Sequence, residues 1–335
     1  MNAAPRPRTR REALKALAGL LAALPAGSPA GSPAGRPKRV TICLNPSRAP
    51  DPIGPTRIFY SRLLAKQGFV DGEHIEIAIV RAKSDDFNPD SPEWQAIARA
   101  EVAKRPDVLV VFSTWLHFFR PLTRDIPIVF IGTIDVEHQA GVDRPGQPAG
   151  NVTGVASPFF EVQEKRFELL KELRPAARRL ALVSGDGGPR NNRLVDDRLA
   201  TAARRLGVEQ VSIRLDEGTP AAYIARTLRD ARVDCADFIC CSSPELFEQL
   251  VQAGVAASFT SVDQVRAGGL ISCWAVGEME ILARIVGRVL RGEPVATIPA
   301  ERPSRFHLAI NLRTARSLRI TVPQSLLLRA DEVLR

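Results

Sequence analysis

From Arg39 onward, short apolar runs rich in β-branched residues alternate with longer amphipathic stretches, and the alternation completes itself twice along one chain. Such alternation is the signature of βαβ units, because a parallel strand needs a crossover helix to bring the chain back. The first series reads as strand Arg39 to Leu44, helix Thr56 to Lys66, strand His74 to Val80, helix Pro92 to Lys104, strand Asp107 to Phe112 and strand Ile126 to Ile131. The second begins after Gly150: helix Glu161 to Leu173, strand Arg179 to Ser184, helix Asn192 to Leu206, strand Gln210 to Leu215, helix Pro220 to Ala231, strand Asp237 to Cys241 and a helix from Pro244. Gly268 to Trp274 and Arg305 to Asn311 read as further strands, with a helix over Gly277 to Leu290 between them. Each series is too small for a large barrel, so the pattern predicts an α/β chain of two open, Rossmann-like parallel-sheet lobes.

The 335 residues carry a formal charge of +9, which at first suggests a polyanion partner. Its location argues otherwise. Arg6, Arg8, Arg10, Arg11, Lys15, Arg36, Lys38 and Arg39 face Glu12 alone, so most of the excess lies at the start and the body is near balance. No nucleic-acid partner is expected. Within that start, Thr9-Arg10-Arg11-Glu12-Ala13-Leu14-Lys15 precedes an apolar run from Ala16 to Leu24 and a Pro/Ala/Gly-rich stretch from Pro25 to Gly35. This order resembles a twin-arginine export signal, with Ser28-Pro29-Ala30 or Ser32-Pro33-Ala34 as the cleavage site. A periplasmic destination follows as an expectation, and the run is too short for a stable membrane anchor.

The cysteines are Cys43, Cys235, Cys240, Cys241 and Cys273, with no paired spacing of the zinc-binding kind. They read as small core residues with room for one disulfide in an oxidising compartment. In open parallel sheets ligands gather at the carboxyl ends of strands. The loops that follow strands here are Asn45-Pro46-Ser47-Arg48, Ser113-Thr114-Trp115, Thr133-Ile134-Asp135, Ser184-Gly185-Asp186 and Ser242-Ser243. Ser, Thr and Asp are equally the favoured helix caps, so each loop taken alone reads either way; their recurrence after five strands is the stronger observation.

The order of motifs then resembles the ABC-transporter substrate-binding family with a type I periplasmic-binding-protein fold, whose better-known relatives bind tryptophan or tyrosine. The matching segments are Gln67-Gly68-Phe69-Val70-Asp71-Gly72-Glu73-His74-Ile75, then Ile126-Pro127-Ile128-Val129-Phe130 with Asp135, Gly141, Pro145-Gly146 and Gly150-Asn151-Val152-Thr153-Gly154. The C-terminal match is the most specific: Ala267-Gly268-Gly269-Leu270-Ile271-Ser272, Gly292-Glu293-Pro294, Ile298-Pro299, Ile310-Asn311-Leu312 with Thr314-Ala315, Val322-Pro323 and Ala330-Asp331-Glu332-Val333. Two departures stand out. Cys273-Trp274 occupies the place of a frequent Tyr-Gly pair, and the loop Ser113 to Arg124 carries Trp115, Phe118 and Phe119 where the family is small and polar.

The resemblance implies two α/β lobes joined by crossing hinge strands, with lobe 1 over 39–156 plus 268–303, lobe 2 over 157–267 plus 304–335, and 1–38 as export signal and linker. It implies a small-molecule ligand captured in the interlobe cleft, closure on binding, and delivery to an ABC-transporter permease in the inner membrane, by a monomer without cofactor. The expected ligand is an amino acid or a similar apolar carboxylate. Ser47, Ser113 and Thr114 are candidates to hold an anionic group and Asp135 a cationic one. Asp186, Asn191 and Ser243 are placed on the second lobe, with Trp115, Phe159 and Trp274 lining the apolar part. Asp186 reads equally well as a turn residue within Gly185-Asp186-Gly187-Gly188. The aromatic cluster reads as core except for Trp115, which follows the strand-end hydroxyls directly.

An enzyme is not expected. The chain has no G-x-S-x-G elbow, H-E-x-x-H helix, phosphate-binding G-x-x-x-x-G-K or dinucleotide fingerprint, and His74, His117, His138 and His307 show no paired spacing. The alternative within the same architecture is a periplasmic ligand sensor feeding a signalling partner. A cytoplasmic regulator would begin with a helix-turn-helix, where this chain has the export-like segment.

Overall fold

The computed structural model describes residues 36–45, 53–83, 91–134, 150–185, 189–215, 218–239 and 242–335, the side chains of 189–191 excepted. The export-like start, Ser47, Asp135 and Asp186 lie outside these residues. The unit from Lys38 to Arg335 contains two sheets.

Five strands form the first sheet: β1 (Lys38–Leu44), β2 (Ile75–Arg81), β3 (Val108–Phe112), β4 (Ile128–Thr133) and β5 (Val152–Ala156), in the order β2-β1-β3-β4-β5 and all parallel. Helices α1 (Ile53–Ala65), α2 (Pro92–Ala103) and α3 (Ser113–Phe119) connect them. A parallel sheet is covered on both faces, which is why β3 can read Val-Leu-Val-Val-Phe without alternation. One face carries Val40, Val110 and Val129 against Leu63, Leu64, Leu282 and Ile285; the other carries Leu109, Val111 and Phe130 against Trp94, Trp115 and Phe119. Gly154 fits only as glycine: a Cβ there would stand 2.2 Å from the carbonyl oxygen of Phe130 on the neighbouring strand.

The second sheet has the order β12-β11-β10-β9-β8-β6-β7, built from β6 (Arg179–Ser184), β7 (Glu209–Arg214), β8 (Cys235–Phe238), β9 (Ala256–Phe259), β10 (Ile271–Val276), β11 (Arg305–Asn311) and β12 (Glu332–Leu334). All its pairs are parallel except β10 with β11. Helices α4 (Phe159–Leu173), α5 (Pro189–Arg205), α6 (Ala221–Asp230), α7 (Pro244–Gln252) and α8 (Val262–Arg266) pack on it, and α8 starts with a capping box between Ser261 and Gln264.

Among the described residues the chain passes between the sheets three times, at Ser157-Pro158, at Gly277, and between Glu301 and Arg305. The second passage corrects the expected boundary at 268. Strand β10 belongs to the second sheet, since Ile271 and Ser272 pair with Ser258 and Phe259 of β9. Only at Gly277, whose φ of 93° suits glycine, does the chain turn into α9 (Glu278–Leu290), which packs on α1, β3, β4 and β5 of the first sheet. The return is anchored by Thr153 Oγ1, which donates to Ile298 O at 2.8 Å, and by a bridge between Val155 and Glu301. The short helices α10 (Leu312–Ser317) and α11 (Gln324–Arg329) complete the described fold. Among the described residues no helix is long and apolar enough to cross a membrane.

Candidate functional site

The first helix of the second series and the ends of three strands meet where the chain crosses between sheets. The carboxyl ends of β8, β9 and β10 supply Ile239, Thr260, Cys273, Trp274 and Ala275; the first crossing supplies Ser157 and Pro158; and α4 supplies Phe159, Val162, Gln163 and Arg166. Glu278, the first residue of α9, completes the wall of a cavity of about 280 Å³. That is near the lower end of small-ligand pockets, about 300 Å³. A larger concavity of about 770 Å³ runs along the edge strand β2. It is lined by charges that pair among themselves, Arg39 with Glu76 at 3.6 Å and Lys104 with Glu101 at 2.5 Å, and it follows the strand's length instead of gathering strand ends. The smaller cavity is the candidate site.

Its apolar part is aromatic. Trp274 stacks on His307, its register partner across the antiparallel β10–β11 pair, with 4.4 Å between ring centroids. Phe159, half-buried, meets Phe160 edge-on at 5.3 Å, and Phe160 in turn lies under the guanidinium of Arg198 at 4.1 Å.

Its polar part is deeply buried. Arg166 and Asp237 are 1% and 0% exposed, with Arg166 Nε 2.8 Å from Asp237 Oδ1 and Nη2 donating to Oδ2 at 3.2 Å. The Nε contact is an ion-pair approach without hydrogen-bond alignment. Ser258 Oγ donates to Asp237 Oδ1 at 2.6 Å. Burial pushes the Asp237 carboxyl above its ordinary value, and the Arg166 charge and the two hydrogen bonds oppose that rise. Arg166 Nη1 and, one turn earlier, Gln163 Oε1 are buried with no hydrogen-bond partner among the described residues. Burial also pushes the Glu278 carboxyl up, and raises the Cys273 thiol to about 11, which leaves that thiol protonated and unreactive near neutral pH.

Of the residues expected from sequence, the cavity brings together Phe159 and Trp274. Ser243 is the N-cap of α7, its Oγ accepting from Leu246 N at 3.1 Å. Ser113 and Thr114 are half-buried at the start of α3, away from this cavity's wall. Asn191 lies in α5 with its side chain outside the described set, as do Ser47, Asp135 and Asp186 altogether. Trp115 is a correction. The stretch expected as a ligand-facing loop is helix α3, and Trp115 on it has 0% exposure, donating Nε1–H to Leu44 O at 3.1 Å and packing on Trp94, Phe118 and Phe119. Its stacking surface and its donor are both spent inside the first core.

Sequence reasoning passed over Gln163, Arg166 and Glu278. A signal was present: Phe160, Gln163, Phe167, Leu170 and Leu173 share the buried face of α4 with Arg166, so two polar residues interrupt an apolar stripe. Among the described residues no group of three His, Cys, Asp or Glu side chains converges as a metal site would require.

The sequence pattern of the family described as "ABC transporter substrate binding protein" matches residues 61–334. A curated relative, the tyrosine-binding protein of Clostridioides difficile (strain R20291), is 24% identical over 268 residues, 77% of this chain and 75% of that protein. A conserved domain protein from Vibrio cholerae superposes with a TM-score of 0.70 at 22% identity, covering 88% of this chain and 99% of that one. An ABC domain in complex with L-Trp from Streptococcus pneumonia gives 0.69 at 19% identity, over 89% and 100% of the two chains. The ligand-free, open form of a substrate-binding protein with adhesive properties from Clostridium difficile gives 0.63 at 19%, over 89% and 99%.

Proposed function

This chain belongs to the ABC transporter substrate-binding protein family, and on that premise we propose that it captures an amino acid or a similar apolar carboxylate in the cavity between Phe159 and Trp274 and hands it to a permease. The fold is that of type I periplasmic binding proteins, a small molecule is its ligand and an ABC transporter its partner. Members of the family work outside the cytoplasm.

The single observation that carries the reading is the cavity's position. It gathers the carboxyl ends of three parallel strands at two of the three passages between sheets, where a ligand touching both bodies favours a closed arrangement by its differential affinity for it. The aromatic lining supports a ligand with an apolar body, and two relatives named for tyrosine and L-Trp support an amino acid. Ser47, Ser113, Thr114, Asp135, Asp186, Asn191 and Ser243 remain proposed contacts of the closed form. The periplasm is the proposed compartment, reached by the twin-arginine route on the strength of Arg10-Arg11 and the apolar run behind them. Capture needs no chemical step, so no catalytic residue is assigned.

A thermal-shift screen of the purified chain against amino acids, small carboxylates, nucleosides and sugars tests the proposal. A ligand at a hundredfold excess over its Kd stabilises a folded binder by about 2.7 kcal/mol. A shift with an amino acid or apolar carboxylate is the expected result, and Trp274→Ala reduces that ligand's affinity by about tenfold or more. A shift confined to sugars or nucleosides overturns the ligand class.

A further inference from the structure

The polar floor of the cavity holds more than an apolar ligand needs. A buried ion pair gives a fold little that well-packed apolar side chains would not give, so an Arg166 drawn to 1% exposure with Nε and Nη1 both lacking a hydrogen bond among the described residues is not explained by stability. Asp237 grips Arg166 through Nε and Nη2 and is itself fixed by Ser258, which holds the guanidinium plane and leaves Nη1 over. Gln163, one turn away on the same helix and lining the same cavity, also leaves its buried Oε1 unmet among the described residues. Native proteins rarely leave such groups without partners.

Glu278 stands on the other body. Arg166 belongs to α4, which packs on β8, β9 and β10, whereas Glu278 opens α9, which packs on the first sheet. Both line the one cavity. With Asp237 balancing Arg166, Glu278 sets the charge of this wall. A bare carboxylate entering it gains a donor at Nη1 but meets the Glu278 carboxylate, and a bare amine gains Glu278 but leaves Nη1 unmet. A ligand with both groups satisfies both.

We propose that Arg166 and Glu278 are the two charge-reading residues of the site, Arg166 Nη1 taking the carboxylate and Glu278 the ammonium of a zwitterionic ligand whose body lies against Phe159 and Trp274. This rests on the capture reading above. It adds that the ligand itself ties the two bodies across Gly277, since its opposite charges are held from opposite sides of that crossing.

The test is isothermal titration of the full chain with matched probes: L-tryptophan, tryptamine and indole-3-propionate, and L-tyrosine, tyramine and 3-(4-hydroxyphenyl)propionate. At least one amino acid binds, and its amine and acid analogues each bind at least tenfold more weakly. Glu278→Gln brings the amino acid and its acid analogue within about threefold of each other. The paired change Arg166→Gln with Asp237→Asn does the same for the amino acid and its amine analogue while burying no lone charge. Should that pair fail to fold, Glu278→Gln, which keeps the Arg166–Asp237 ion pair, still decides the proposal through the gap between the amino acid and its acid analogue. Equal binding of the amino acid and either analogue by the unaltered protein overturns the proposal, as does an undiminished gap in Glu278→Gln. If D-allose or 4-hydroxybenzoate binds and no amino acid does, the charge assignment falls while capture stands. Silence across all these probes and the wider screen removes both.

Discussion

Glu278 carries a thermodynamic signature that can be read without knowing the ligand. Burial raises its carboxyl above the ordinary 4.5, so between that value and the raised one the folded protein holds a proton that the unfolded chain releases. The group therefore lowers stability once pH exceeds the raised value, and the penalty vanishes as pH falls below the ordinary one. Glu278→Gln is expected to raise the melting temperature of the ligand-free protein at pH 7 and to leave it unchanged at pH 4; an equal change at both points to packing instead of charge. Trp115 gives the opposite kind of test. With no exposed surface and a hydrogen bond to Leu44 O, its loss to alanine costs about 3–5 kcal/mol of stability. Affinity per folded molecule stays within threefold, measured by denaturation and titration on the same sample; a folded Trp115→Ala protein that no longer binds restores the ring to the site.

At the scale of elements, legibility followed how much of each pattern is local. The strands over 39–44 and 179–184 and the helix over 277–290 are readable because apolar periodicity and flanking turns agree. Strand β9 is not legible in sequence: Ala-Ala-Ser-Phe is four residues long and buried throughout, so it neither alternates nor stands out in propensity. Helix α3 reads as a loop in sequence, although Trp115, Phe118 and Phe119 recur at helical spacing, because strand-end hydroxyls at Ser113 and Thr114 also open ligand loops. Strand β10 is legible as a strand, but its place in the second sheet is not, since a strand's own sequence does not name the neighbour with which it pairs. In α4 the polar interruptions at Gln163 and Arg166 were legible as a pattern, while their meaning required Asp237, 71 residues away from Arg166.

Taken whole, the described residues place a parallel sheet and a mostly parallel sheet on either side of three chain passages and put the cavity there. The proposed export route is tested at this scale, because a twin-arginine system moves the folded protein. Replacing Arg10 and Arg11 together by Lys is expected to leave the product folded and ligand-competent inside the cell and to remove it from the periplasmic fraction; undiminished export would exclude that route. What the sequence determined by itself is the α/β class, the repetition of the two series, the uneven placement of charge and the family, all of which depend on local periodicity and on motifs in order. Phe159 and Trp274, two of the residues expected from sequence, line the cavity. Only the tertiary structure decided that Trp115 is core, that the chain crosses at Gly277, that Arg166 and Glu278 line one cavity, and that Asp237 pairs with Arg166. Burial and the pairing of distant charges are properties of the packed chain, and no local pattern encodes the partner that makes a buried charge tolerable.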